Sequence, residues 1–292
     1  MNRKNFIKVL SGGIAMASIQ PFYDWTKGLG EEEEKMPVLF IGHGSPMNAI
    51  EDNEFSQRWQ QMGNEIPTPK AVVVISAHWL TKGTLVTAMP NPKTIHDFGG
   101  FPQSLFDVQY PAPGSPELAT EIQKLITNPA VELDQDWGLD HGTWSVVRHM
   151  YPDADIPVLQ LSIDYYKPAA YHYELAKQLL SLRKKGVLII GSGNMVHNLR
   201  MVAWDKLNEP EYGYDWALEM NDIFKNKISN GFHKELIQYE KLNKSATLAI
   251  PSPDHYYPLL YILALQSDND KVTFFNDKAV GGSLTMTSVK IG

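Results

Sequence analysis

The stretch "AVVVISAHW", residues 71–79, decides how this chain folds. Its first five residues are all apolar and four of them are β-branched, with no alternation of apolar and polar positions. A strand of that kind is covered on both faces, the condition of a parallel strand inside an α/β sheet. The run then stops on Ser76, Ala77 and His78. "PVLFIGH" (37–43) and "VLIIGSGNMVH" (187–197) repeat the plan of apolar strand, small residues and histidine.

Outward from these three, further strands are expected at Thr84–Met89, Ile156–Ile163, Val272–Phe275 and Ser283–Ile291, the last with alternation. Helical patterns lie between them. In "GSPELATEIQKLI" Ser115 suits an N-cap, Pro116 the first helical position, and Leu118, Ile122, Leu125 and Ile126 form one apolar face. A second helix is expected from Ala169 to Lys185, its basic tail "RKKG" ending on Gly186. A third spans Asp215 to Ser229 with Trp216, Met220, Ile223 and Phe224 inward, and a fourth follows Pro258. The fold class is therefore α/β: a mixed, mostly parallel central sheet with helices on both faces, in a single domain over residues 36–292.

Composition narrows the function. A net charge of −7 without a Lys/Arg-rich run argues against nucleic acid as a partner. No apolar run reaches the roughly 20 residues of a membrane span. Cysteine is absent, which removes disulfides, thiolate metal sites and a cysteine nucleophile together. Any transition-metal site must then come from His, Asp and Glu. The first 35 residues differ from the rest: Arg3, Lys4 and Lys8 precede a short apolar stretch and Ala15-Met16-Ala17, and Glu31–Glu34 follow. This layout reads as an export leader, with a relaxed twin-arginine pattern, and a solvated linker. The expectation is export to the periplasm, with a cytoplasmic location as the alternative.

Histidines carry the chemistry. His43, His78 and His197 each follow a strand, and sites in open α/β sheets form outside the carboxyl ends of strands. His255 in "PSPDHYYP" and His141 in "GLDHGTW" lie in loops. A lone loop histidine is ordinarily a surface or hydrogen-bonding group, and His149, His172 and His233 are read that way. Three at buried strand ends are costly unless they share a purpose. A divalent metal ion supplies one, since neutral imidazole binds Zn, Fe and Cu. Neither "GHGSP" nor "GSGN" matches a hydrolase elbow or a dinucleotide fingerprint, and Ser45 is read as a helix N-cap.

Taken in order, "LFIGHGSPMNAIEDN", "VVVISAHWLTKGTLVTA", "TIHDFGGFPQSLFDVQYPAPGSP", "LDHGTWSVVRHMYPDADIPVLQLSID", "GSGNMVHNLR" and "PDHYYPLLYIL" resemble the bacterial 4,5-DOPA extradiol dioxygenases. These are class III extradiol ring-cleavage dioxygenases, and the resemblance covers residues 36–292. It implies an oxidoreductase of aromatic-compound metabolism that opens a catechol with dioxygen. It implies one divalent ion per chain, Fe(II) for activity and Zn2+ as another bound ion, because zinc has no redox chemistry. His43, His78 and His255 match the metal ligands. His197 matches a residue that is either a further ligand or the acid/base, and His141 a proton donor or substrate-orienting group. A carboxylate commonly completes such iron sites, so Asp254, beside His255, is the alternative third ligand. His96 is a pocket wall or a structural loop contact, and Trp79, Phe101 and Tyr256 are pocket or core. The rival classes are a zinc-dependent hydrolase and a non-catalytic metal- or ligand-binding protein on the same scaffold.

Overall fold

The computed structural model describes residues 35–207 and 209–292, so the expected leader lies outside the described residues. Six strands form the central sheet: β1 (Val38–Gly42), β2 (Ala71–Ser76), β3 (Val158–Gln160), β4 (Val187–Gly193), β5 (Val272–Phe275) and β6 (Ser288–Ile291). Their order is β3-β2-β4-β1-β6-β5. The first four run parallel, with Val73 beside both Leu159 and Ile189, and Phe40 beside Gly191. β6 lies antiparallel to β1 and β5. The sheet is thus mixed and mostly parallel, as the unbroken apolar runs require.

Every residue of β1 to β4 is buried, and alternation reappears in space. Phe40, Val73 and Ile189 enter one core, while Leu39, Val72 and Leu188 enter the other. The helices of eight or more described residues are α1 (Glu54–Glu65), α2 (Pro116–Leu125), α3 (His141–Met150), α4 (Ala169–Lys177), α5 (Asp215–Ser229) and α6 (Tyr257–Ala264). Trp59 and Met62 of α1 and Trp144 and Val147 of α3 close one face. Residues such as Ile122 of α2, Leu175 of α4, Phe224 of α5 and Leu260 of α6 close the other. None of these helices is long and apolar enough to cross a membrane.

Local signals explain the helix starts. Ser115 Oγ accepts from Leu118 N, with Pro116 in the first turn. Asn53 and Ser56 form a reciprocal capping box at α1. Asp140 accepts from Thr143 N and opens α3. Ser45 caps the short 3-10 turn Pro46–Ala49, as expected.

Four expected elements differ in the fold. Thr84–Thr87 leaves the main sheet and pairs with Val131–Asp134 in a separate ladder. The run Ile156–Ile163 breaks after Gln160, because Ser162 Oγ takes the Leu85 N–H and turns the chain toward Leu80–Thr81. Ser283–Ile291 likewise splits into Leu284–Thr285 and β6. The helix expected over 169–185 ends at Lys177, and a tighter 3-10 segment, Leu180–Lys185, continues to Gly186 at φ +76°.

Arg183 anchors that tighter segment. It reads as part of an exposed basic tail, yet it is fully buried. Its guanidinium donates to Met36 O, Leu265 O and Asp270 Oδ2 at 2.6–2.7 Å. Lys35 meets the other Asp270 oxygen at 2.7 Å. Burial pushes the Asp270 carboxyl up, but Arg183 and Lys35 outweigh it and hold the group below its ordinary value. A lowered carboxylate contributes stability above the unfolded pKa of about 4, and that stability is lost as pH falls through the folded value. Asp270→Asn leaves the Arg183 charge buried without its counterion, a loss of roughly 3–5 kcal/mol at pH 7. Urea midpoints at pH 7, 5 and 3 check this: the gap to the unaltered chain should narrow only at the lowest pH.

Candidate metal centre

Parallel strands end at one edge, and three histidines leave from it. His43 follows β1 directly, His78 stands two residues beyond β2, and His197 four beyond β4. The backbones stay in register past the strand ends, with His43 N donating to Gly193 O and Ala77 N to Ser192 O. His255 arrives just before α6, where Asn194 N donates to His255 O at 3.0 Å. That approach requires Gly193: a Cβ there would lie 2.1 Å from the His255 carbonyl oxygen. His141 is the first residue of α3, and the next one, Gly142, packs where a Cβ would lie 2.5 Å from Ser76 Oγ.

All five imidazoles meet. Ring centroids of His43 and His78 are 5.0 Å apart, those of His78 and His255 5.0 Å, and those of His43 and His255 5.3 Å. His141 lies against His78 at 3.9 Å, and His197 stacks on His255 at 3.6 Å with planes 6° apart. By individual ligating atoms two groups stand out, His43–His78–His141 and His197–Asp254–His255, each within 4.8 Å. By this measure His141 joins His43 and His78, where His255 was expected, and the two groups adjoin across the His43–His255 and His78–His255 ring contacts. His197 and His141 flank the expected trio on opposite members.

Hydrogen bonds set the tautomers. Ser192 Oγ donates to Gly142 O, so it can only accept from His43 Nδ1 at 2.9 Å. Asp254 Oδ2 takes His255 Nδ1 at 2.5 Å, and Asp97 Oδ2 takes His141 Nδ1 at 2.9 Å. Burial would push both carboxyls up, but the hydrogen bond and charge of the partner imidazole hold each below its ordinary value. Ionised carboxylates accept and never donate. In His43, His141 and His255 the Nδ1 position is thereby taken, and Nε2 is the ring nitrogen left for a ligand. Burial, reinforced by the neighbouring imidazoles, holds His43, His78 and His197 well below the ordinary histidine value. They are neutral, the form that binds metal.

The Nε2 atoms of His43 and His78 face each other at 3.1 Å. Two nitrogens bound at about 2.0–2.1 Å to one ion stand roughly 3.0–3.4 Å apart, depending on the coordination angle. The residues fit a shared divalent ion.

The other histidines do separate work. His96 Nε2 donates to Val108 O and its ring packs on Phe98, Phe106 and Trp144, which makes it the structural contact. His149 bonds Asn48 O, His172 bonds Tyr261 Oη, and His233 lies between Tyr173 and Gln266. Tyr256 is core, its hydroxyl on Leu236 O. Trp79 is buried and stacks on Trp137, whereas Phe101 packs half-buried on Phe98. Ser192 and Asp97 were not singled out from sequence. Ser192 sits in the quoted "GSGN" and Asp97 in "IHDFGG", but nothing local says which imidazole either will meet.

Outer partners of metal-bound histidine typically contribute 10–100-fold in affinity. Asp254→Asn should therefore weaken Zn2+ binding by about that factor, read by competition with a chelator. Gly193→Ala should weaken it more, because the added methyl displaces the His255 backbone itself.

Residues 37–288 match the family of the catalytic LigB subunit of aromatic ring-opening dioxygenase. The chain is 48% identical over 263 residues to the 4,5-DOPA dioxygenase extradiol of Escherichia coli K12, covering 88% of this chain and 95% of that protein. It is 37% identical over 270 residues to the 4,5-DOPA dioxygenase extradiol of Beta vulgaris, covering 90% and 98%. A crystal structure of an uncharacterized Escherichia coli K12 protein superposes with a TM-score of 0.77 at 44% identity, over 88% of this chain and all of that one. With family, relatives and fold in agreement along nearly all of its described length, the chain belongs to the LigB family of aromatic ring-opening dioxygenases.

Proposed function

We propose that the chain cleaves the ring of a DOPA-like catechol in extradiol fashion with dioxygen, using one divalent ion held by His43, His78 and His255. The facing Nε2 pair of His43 and His78, with His255 a ring's width away, carries this reading. Two relatives named for 4,5-DOPA support L-DOPA as the first catechol to try. Bound here, Fe(II) supplies the Lewis acidity that acidifies catechol hydroxyls and the electron exchange that Zn2+ lacks.

The remaining steps belong to side chains. His197 stacks on the proposed ligand His255, which puts it beside a catechol held on the ion and makes it the side chain to take a hydroxyl proton. His141, on the far side of His78, would act from its protonated form: it gives the opening ring its Nε2 proton and ends as the neutral Nδ1–H tautomer held by Asp97. The Asp97 carboxylate behind its Nδ1 offsets the charge His141 carries in that exchange. Phe98 meets the His141 ring edge-on at 5.6 Å and gives an apolar wall suited to an aromatic substrate.

Anaerobic loading with Fe(II), then L-DOPA and air, should give oxygen uptake and a yellow semialdehyde product. No uptake with any catechol would remove the proposal, and turnover with Zn2+ in the absence of oxygen would install the hydrolase instead. His43→Ala should lose the ion. His197→Ala should keep it and lose turnover by about 10²–10⁴-fold, the usual contribution of a general acid or base; loss of the ion from that variant would make His197 a ligand.

A further inference from the structure

One carboxylate serves two of the imidazoles. Asp97 Oδ1 accepts the main-chain N–H of His141 at 2.9 Å, while Oδ2 lies 2.9 Å from His141 Nδ1 and 3.4 Å from His78 Nδ1. We propose that Asp97 is a positioning residue that fixes His78 and His141 together as Nδ1–H tautomers and sets the spacing between the metal-binding ring and the proton-donating ring. With Nδ1 of each ring beside Asp97 Oδ2, Nε2 is the nitrogen left to each, for the ion in His78 and for proton exchange in His141. The proton-donor half of this inference rests on the function proposed above; the tautomer half does not.

The loop that carries Asp97 is built to hold it still. Ile95 N donates to Leu139 O at 2.7 Å, and Trp144 Nε1 donates to Ile95 O at 2.8 Å. His96 is tied to Val108 O, and Phe98 packs on Phe106 and Trp144. Only beyond these anchors does the loop open out: a Cβ on Gly99 or Gly100 would meet nothing within 4 Å. Asp97 is therefore held on one side by the hydrogen bonds of Ile95 and His96 and on the other by the packing of Phe98 on Phe106 and Trp144. A rigid outer carboxylate of this kind is what preorganises the groups in front of it. The bland alternative is that Asp97 only closes the free N–H at the start of α3.

Asp97→Asn separates the two. Its amide oxygen can still accept from His141 N, but it offers no second anionic oxygen to the two ring N–H groups. Selective 15N-histidine labelling of the Zn2+-loaded chain should show His78 and His141 as Nδ1–H tautomers, and mixed or exchanged tautomers in Asp97→Asn. Zn2+ affinity should fall roughly 10–100-fold, and Asp97→Glu should recover part of it. In the Fe(II) enzyme kcat should fall by at least about 100-fold, a general-acid effect, with KM for the catechol little changed. A lower melting temperature with unchanged tautomers, Zn2+ affinity and kcat would reduce Asp97 to a helix cap and overturn the proposal. Wild-type protein that binds Zn2+ with these tautomers but opens no catechol would instead sink the proposed function while leaving the positioning role of Asp97 standing.

Discussion

The contact between Gly193 and the carbonyl of His255 is the one on which the site depends. β4 is the inner strand shared by β1 and β2, so its end fixes where both neighbours release His43 and His78. The turn bearing His255 reaches those two rings only by lying against the bare backbone of β4. Any side chain at residue 193 would push the turn outward, since its Cβ would lie 2.1 Å from the His255 carbonyl oxygen. Metal-ligand distances tolerate only about 0.2 Å, so this backbone contact acts directly on what the site can bind.

Much of this was legible because it is written in runs. A strand buried on both faces needs unbroken apolar residues, and parallel strands must end together, so His43, His78 and His197 could be placed on one edge before any coordinate was known. Helix α5 kept its expected limits, since its apolar spacing repeats over 15 residues. Helix α3 was not assigned. Thr143, Trp144, Val146 and Val147 favour strands, and only the Asp140 cap and tertiary packing make the segment helical. Arg183 was not singled out, for the opposite reason. A basic run at a helix end ordinarily stays in water, and its burial depends on Asp270, 87 residues away.

Long range also explains why Asp97 and Ser192 were passed over. Each acts on a residue 44 or 149 positions distant, through a contact that exists only once the loops are folded. Strand ends are a local property and can be read. The partner of a ring nitrogen is a property of the assembled edge.

The charge of that edge closes the argument. His43, His78 and His197 are neutral, while Asp97 and Asp254 stay ionised. Among the described residues, the ion pairs of both carboxylates are with histidines and with no lysine or arginine. A partly buried pair of negative charges is costly in a low-dielectric setting. Imidazole hydrogen bonds spread that charge across the rings toward their Nε2 atoms. A dication at the shared point would balance two carboxylates at once, and through neutral ligands whose basicity those carboxylates raise. With the proposed ligand set, Asp97 behind His78 and Asp254 behind His255 would supply from behind the rings the negative charge that a carboxylate ligand supplies in the commoner site of two histidines and a carboxylate.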